Sequence, residues 1–536
     1  MSAPDRSLTG SERVVSVPFS RSRWESARLV ALASLVVGGL TLAWVYACDW
    51  NNLYGDGQAH LAIARKLADA PPGASWRDRY IQLGSPWLPL PHALAAPLAA
   101  FDTLWRTGLA GSFVSLAAFA IAAAFLFDLV ADLTESKLAA TIAWLTFALN
   151  PSLLYVQTTP LTEPLLLATL LGSVWHGRDW MRRGERSALI AFALWTLLAV
   201  LTRYEGWALL PAGLGVVALR SPRRGWARMS DIALWSGIAG AGVAYWLWHN
   251  WFIYGRPLEF LDGPYSARGY FARHQDELSH LSFVVGRPLY AGMVWAATVV
   301  ICATPVTILF GGAGLAQGVA AALWRRRCGS PDALTLALTL PPPLFTGYSL
   351  YSGNIQIYPL FLNNRYGLVA LPALAVGAGL SAAFLQRRFP ARHPWLAAGL
   401  GLACLGQSLW LLRDGVYQLA VFQEAYRAQF ALIGRERRAL AQFLRAEVGQ
   451  AQVALFAGDL SSVIARSGLN YAQIVHEGSP SWGALDSAIP PTVTWLVIGR
   501  GDALEMKLRQ RPTGYEAFST AWVSEQGTFT VLRRNP

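Results

Sequence analysis

Apolar residues in this chain gather into long runs separated by shorter polar stretches. The runs 29–47, 232–248, 289–310 and 366–385 are almost free of charge. Runs of ~18 or more apolar residues are long enough to cross the hydrocarbon core of a bilayer as α-helices. The ~10-residue segments of alternating polarity that a membrane β-barrel needs are absent. The pattern therefore predicts a polytopic α-helical membrane protein with about 11 transmembrane helices. They are read at 27–47, 107–129, 138–149, 164–175, 188–201, 208–219, 232–251, 289–310, 334–350, 366–385 and 395–412.

The polar stretches fall into two kinds. Segments 178–186, 220–228, 325–327 and 387–392 are rich in arginine. Segments 49–92, 151–163, 202–207, 252–281 and 351–365 mix both charges with aromatic residues. The arm 1–26 carries Arg6, Arg13, Arg21 and Arg23, which predicts a cytoplasmic N-terminus followed by a signal-anchor helix. Alternating from there, every arginine-rich loop lands inside and every mixed, aromatic loop outside. The first outer loop, 48–106, is too polar for lipid and too varied for a linker.

Composition adjusts this picture in two places. Charged residues make up 14% of the chain, against about 25% in an ordinary soluble domain. The net charge of +12 is explained by the inner arginine loops, so nucleic acid is not expected as a partner. Cys48, Cys302, Cys328 and Cys404 have no metal spacing and read as inert thiols.

Beyond residue 412 the pattern changes. Leu440, Phe443 and Leu444 mark one face of a helix. A strand at 453–456, a helix at 459–466 with an Asp/Ser start, a strand at 494–498 and a hairpin of 521–524 with 528–532 follow. The organisation expected is a cytoplasmic arm (1–26), a transmembrane domain (27–412) and a small extracytoplasmic α/β domain (413–536).

Candidate chemistry collects in the outer loops. Asp56 stands near the start of a predicted helix and His60 one turn later on the same face. Asp56 reads either as a helix cap or as a reactive carboxylate. His60 reads more readily as a hydrogen-bonded structural histidine. Arg365, in Asn364-Arg365-Tyr366, is an interfacial anchor or a fork for a phosphate. Glu163, Arg203 and Glu205 are ionisable groups at the bilayer edge, either paired with one another or part of a site. Tyr265 and Arg268 lie in an aromatic, basic stretch that could form an interfacial helix. No nucleotide-binding P-loop, HExxH or CxxC motif is present. Asp56, His60 and Asp69 are metal-compatible residue types, but their spacing does not indicate a metal, and no cofactor is expected.

The segments GDGQAHLAIARKLAD, WLPLPH, ALNPSLLYVQTTPLTEP, LTRYEGW and NNRYGLVALPAL resemble the GT-C glycosyltransferases, in their bacterial branch related to protein O-mannosyltransferases and aminoarabinose transferases. The resemblance covers about 28–412. It implies a bacterial inner-membrane enzyme that takes a sugar from a polyprenyl-phosphate-linked donor, with Asp56 as base. His60, Glu163, Arg203, Glu205, Tyr265, Arg268, Asn364, Arg365 and Tyr366 are the expected substrate-binding set. Many relatives carry two adjacent acidic residues where this chain has Asp56-Gly57, a departure from the family pattern. The chemistry suits these residue types independently. A lipid phosphate leaves without protonation, one carboxylate can deprotonate a hydroxyl, and arginine can stabilise the departing charge. Single displacement would invert the anomeric centre. The acceptor could be lipid, glycan or protein. The competing reading is a multi-pass transporter or flippase, against which stand the absence of an internal repeat and the concentration of polar residues at one face.

Overall fold

The computed structural model describes residues 21–69, 75–273, 279–324, 326–355, 357, 362–390, scattered positions between 395 and 409, and 419–536. Half of the eleventh expected span, 395–412, lies outside the described residues, as do His274, Asp276 and Glu277.

Four helices among the described residues are long and apolar enough to cross a membrane: Glu25–Ala47, Leu109–Thr134, Pro305–Trp324 and the stretch Asn364–Arg388. Shorter apolar helices include Lys137–Ala148, Arg186–Thr202 and Pro288–Ala303. Among the described residues the count of about 11 transmembrane helices is therefore not reproduced by helices of full membrane length. The run 289–310 is two helices, Pro288–Ala303 and Pro305–Trp324, parted at Thr304 with its positive φ of 74°. The run 334–350 is likewise two, Pro331–Leu338 and Pro341–Tyr351. Proline is tolerated at a helix start but not inside, so the prolines at 305 and 341–343 punctuate what hydropathy reads as continuous.

The supposed arginine-rich loop 178–186 is mostly helix. Glu163–Arg183 continues for 21 residues before Gly184 ends it in a left-handed conformation. Arg178 is buried there, 2.6 Å from Asp132 and 2.7 Å from Asp332. A drop in hydropathy suggested a loop because sequence does not reveal that the arginine has carboxylate partners on two other helices.

The first polar loop folds into helices Gly55–Ala68, Trp76–Tyr80, Leu90–Ala99 and Asp102–Arg106. It is tied to the helix Trp226–Tyr254 through His249, whose ring nitrogens lie 2.9 Å from Tyr80 Oη and from Gly84 O. The C-terminal part contains a five-stranded sheet in the order β2-β1-β3-β5-β4: β1 Gln452–Leu455, β2 Ile474–Val475, β3 Val493–Gly499, β4 Phe518–Val523 and β5 Phe529–Arg534. β1 runs parallel to β2 and β3, whereas β5 is antiparallel to β3 and β4. The two-residue β2 was not foreseen. The helix Ser461–Ser467 has no side-chain cap, so Asp459 does not start it as expected.

This sheet does not hang free. Leu440, Leu444, Val453 and Leu455 share one apolar core with Leu61, Ala64, Ala95 and Trp105 of the first loop. Arg106 adds hydrogen bonds to the carbonyls of Ala465, Gly468 and Leu469, each at about 3 Å. The first loop is thereby held between the long helices and the sheet.

Candidate active site

Asp56 is the second residue of the helix that follows Tyr54. It does not cap that helix. Its carboxylate turns away and pairs with the guanidinium of Arg365, which comes 309 residues later. The Asp56 side chain is 45% exposed, whereas that of Arg365 is 2% exposed. A buried cation therefore presents a carboxylate to an open edge.

Arg365 sits in a 3-10 turn, Asn364–Ala370, that opens the helix Leu371–Arg388. Its guanidinium carbon lies 5.2 Å from the ring centres of both Tyr54 and Tyr366, a cation between two aromatic faces. Gly367 allows the close approach that holds this turn, because a Cβ there would stand 2.1 Å from the carbonyl oxygen of Thr298.

Behind Arg365 the charges continue. Arg365 Nε is 3.4 Å from Glu163 Oε1, and Arg203 Nη1 is 3.1 Å from the same oxygen. Arg203 also donates to Thr162 Oγ1 at 2.9 Å and to Glu205 Oε1 at 2.8 Å. Tyr366 receives a guanidinium on its ring from Arg203 as well as from Arg365. Glu163 is fully buried at the start of its helix, and Arg203 stands in extended conformation just after the helix Arg186–Thr202.

The network is not fully satisfied. Glu163 Oε2 and Arg365 Nε are buried with no hydrogen-bond partner among the described residues. Three carboxylates meet two guanidinium groups, which leaves one negative charge in excess. Buried polar atoms are normally paired, so such orphans mark a place where a ligand or solvent completes the set.

Gly57 shows why this chain lacks a second acidic residue beside Asp56. A Cβ at that position would lie 2.9 Å from Pro160 Cγ. The helix is pressed against Pro160, so a side chain at position 57 would require one of them to shift.

His60 is separate from this line of charges. Its Nδ1 is 2.9 Å from His92 Nε2, and its ring packs 4.5 Å from that of Trp87. Burial, reinforced by His92 and then by Arg203 and Arg365, pushes the His60 imidazole well below the usual histidine range. Burial and the nearby Lys66 bring His92 down to about 3. Both rings are neutral at neutral pH, one donating to the other. Asp69 pairs with Arg65 at 2.6 Å. Asp56, His60 and Asp69 thus each have a different partner.

Tyr265 stacks on Phe456 of the sheet unit, with ring centres 6.2 Å apart, and Arg268 donates to the carbonyl of Ser352 at 2.7 Å. Among the described residues neither forms a hydrogen bond or ion pair with Asp56 or Arg365. Asn364 adjoins Arg365 but turns its amide to Glu424, at 2.8 Å. Sequence reasoning missed Tyr54, Thr162 and Glu424. Tyr54, two positions before Asp56, was open to notice as an aromatic beside a candidate carboxylate. Glu424 gives no signal, because its role depends on contact across 60 residues.

No protein-family model matches the sequence, and no curated protein matches it at the sequence level. Solved structures do resemble it. ArnT from Cupriavidus metallidurans bound to undecaprenyl phosphate is 14% identical, with 96% of this chain and 98% of that one covered at a TM-score of 0.50. The apo state of the same protein is 15% identical, with 95% and 98% covered at 0.49. With the first of these matched over nearly its whole length, the chain has the fold of ArnT.

Proposed function

We propose that this protein is an inverting membrane glycosyltransferase that moves a sugar from a polyprenyl-phosphate donor to an acceptor hydroxyl. The observation that carries the reading is the half-exposed Asp56 carboxylate held on the buried Arg365 guanidinium. The shared fold with a protein crystallised with undecaprenyl phosphate supports a lipid phosphate as the donor's leaving group.

In this reading the acceptor oxygen attacks the anomeric carbon while Asp56 takes the hydroxyl proton. The bond from the anomeric carbon to the phosphate oxygen breaks, and polyprenyl phosphate departs with the electron pair. No acid is needed on that side, because a phosphate is a good leaving group. Arg365 stabilises the growing phosphate charge through its planar fork. Glu163 and Glu205 hold Arg203 and Arg365 in place.

The pairing of Asp56 with Arg365 gives the sequence of events. Before the donor arrives the Arg365 guanidinium holds the Asp56 carboxylate. An incoming phosphate competes for the same guanidinium and frees Asp56, so the base becomes available when the donor is bound. Asp56, the outer loops and the sheet unit (413–536) then share the extracytoplasmic side, with the N-terminus in the cytoplasm. The acceptor class is left open between lipid, glycan and protein.

The test is release of undecaprenyl phosphate from a panel of undecaprenyl-phosphate-linked sugars by the purified protein. Wild type should release it, and Asp56→Asn should not. Wild-type turnover in Asp56→Asn would remove Asp56 as base, and no release by wild type from any donor would sink the enzymatic reading.

A further inference from the structure

The helix Ala420–Phe430 opens the chain's C-terminal unit, yet it packs against both halves of the candidate site. On one side Glu424 is buried against the segment that leads into Arg365. Its Oε1 accepts from the backbone N–H of Leu362 at 2.7 Å and from Asn364 Nδ2 at 2.8 Å. Its Oε2 accepts from the backbone N–H of Asn364 at 3.0 Å. One carboxylate thus gathers the backbone N–H groups of 362–364 and the Asn364 side chain around Asn363, which holds a left-handed φ of 57°. Asn tolerates that conformation better than most residues, but a strained turn still needs its amides held.

On the other side the same helix grips the segment that leads into Asp56. Tyr54 Oη donates to the carbonyl of Val421, and Gln429 Nε2 donates to the carbonyl of Leu53 at 2.9 Å. Phe422 packs edge-on against Trp50 at 5.1 Å and Tyr155 at 5.3 Å. Tyr54 carries the guanidinium of Arg365 on its ring. Every covalent route from Asp56 to Arg365 runs through some three hundred residues, whereas this helix joins their flanks within three turns.

We infer that the helix Ala420–Phe430 is a clamp that sets Asp56 and Arg365 in register, with Glu424 as the positioning residue for Arg365. The C-terminal unit is then part of the active machinery, and loosening it would separate base from cation. The clamp rests on the proposed function only for its catalytic consequence; its geometry can be tested apart from it.

The experiment uses the full chain in nanodiscs and compares amide hydrogen exchange in wild type, Glu424→Ala and Glu424→Gln. In Glu424→Ala the amides of 362–366 should exchange about tenfold faster or more, while β1 and β3 keep their protection. Glu424→Gln retains one acceptor oxygen and should fall between the two, which keeps the test open if the alanine variant misfolds. Binding of undecaprenyl phosphate, measured on the same samples, should weaken about tenfold in Glu424→Ala and less in Glu424→Gln, a graded rescue that general destabilisation would not give. Wild-type exchange at 362–366 in both variants overturns the clamp, even if the lipid binds. Faster exchange at 362–366 with no lipid binding by wild type upholds the clamp and counts against the donor reading instead.

Discussion

Two of the arginine–carboxylate clusters among the described residues, around Arg178 and around Arg365, are built to different standards. Around Arg178 every nitrogen of the guanidinium has a partner. Asp132 takes Nε at 2.6 Å, Asp332 takes Nη1 at 2.7 Å, and the carbonyl of Asp132 takes Nη2 at 3.3 Å. Around Arg365 the guanidinium is just as buried, but its Nε and Glu163 Oε2 lack hydrogen-bond partners, and Asp56 is open to its surroundings. A satisfied network fixes helices to one another. An unsatisfied one with an accessible carboxylate is ready to take a ligand. Burial and charge alone do not separate the two; the accounting of donors and acceptors does.

The sharpest way to break the comparison is to neutralise one residue in each cluster. Asp56→Asn should lower turnover by about 10²–10⁴-fold, the usual worth of a general base. It should leave thermal stability near wild type and tighten undecaprenyl phosphate binding, since a competitor for Arg365 has lost its charge. Arg178→Ala should do the reverse, costing on the order of 3 kcal/mol of stability by removing one of the two arginines that pair with Asp132, with turnover per folded molecule unchanged. Melting and turnover assays on the two variants would show whether the roles are exchanged.

Arg365→Lys is a milder probe. It keeps the charge but loses the planar fork and the stacking between Tyr54 and Tyr366. Donor use should fall about tenfold, one lost charge-assisted hydrogen bond's worth. An equivalent Arg178→Lys should change stability but not donor use.

The smallest effect concerns pH. Burial raises the Glu424 carboxyl from its ordinary 4.5 to about 7, against the lowering effect of the N–H donors of Asn364 and Leu362 and of Arg365. The titratable groups around it are Arg365, Tyr54 and Cys302. A raised carboxyl pKa contributes stability that is fully present below about 4.5 and is lost as pH rises through about 7. Melting curves of wild type minus Glu424→Gln, from pH 5 to pH 8, should therefore show wild type losing ground as pH rises. A flat difference would mean that Glu424 is not the group being titrated.

Much of the fold was legible in the chain. Hydropathy found the apolar helices, and alternation with turn residues found β1, β3 and the β4–β5 hairpin at Gly527, because these depend on local pattern. The breaks at Thr304 and at Pro341 were hidden inside apolar runs, since hydropathy does not register backbone geometry. The helical, ion-paired nature of Arg178 was hidden for a different reason: its partners are 46 and 154 residues away.

The same division runs through the candidate site. The sequence by itself determined which groups were available: a lone carboxylate at 56, arginines at 203 and 365, and glutamates at 163 and 205, all in polar segments at helix ends. A charge in an apolar setting is costly enough to stand out in one dimension. Only the tertiary structure decided that Asp56 meets Arg365 while His60 turns to His92, that Tyr265 and Arg268 lie elsewhere, and that Glu424 braces the turn before Arg365. Hydrogen bonds act over about 3 Å, and nothing in the spacing of residues 56, 365 and 424 along the chain records which of them the fold brings to that distance.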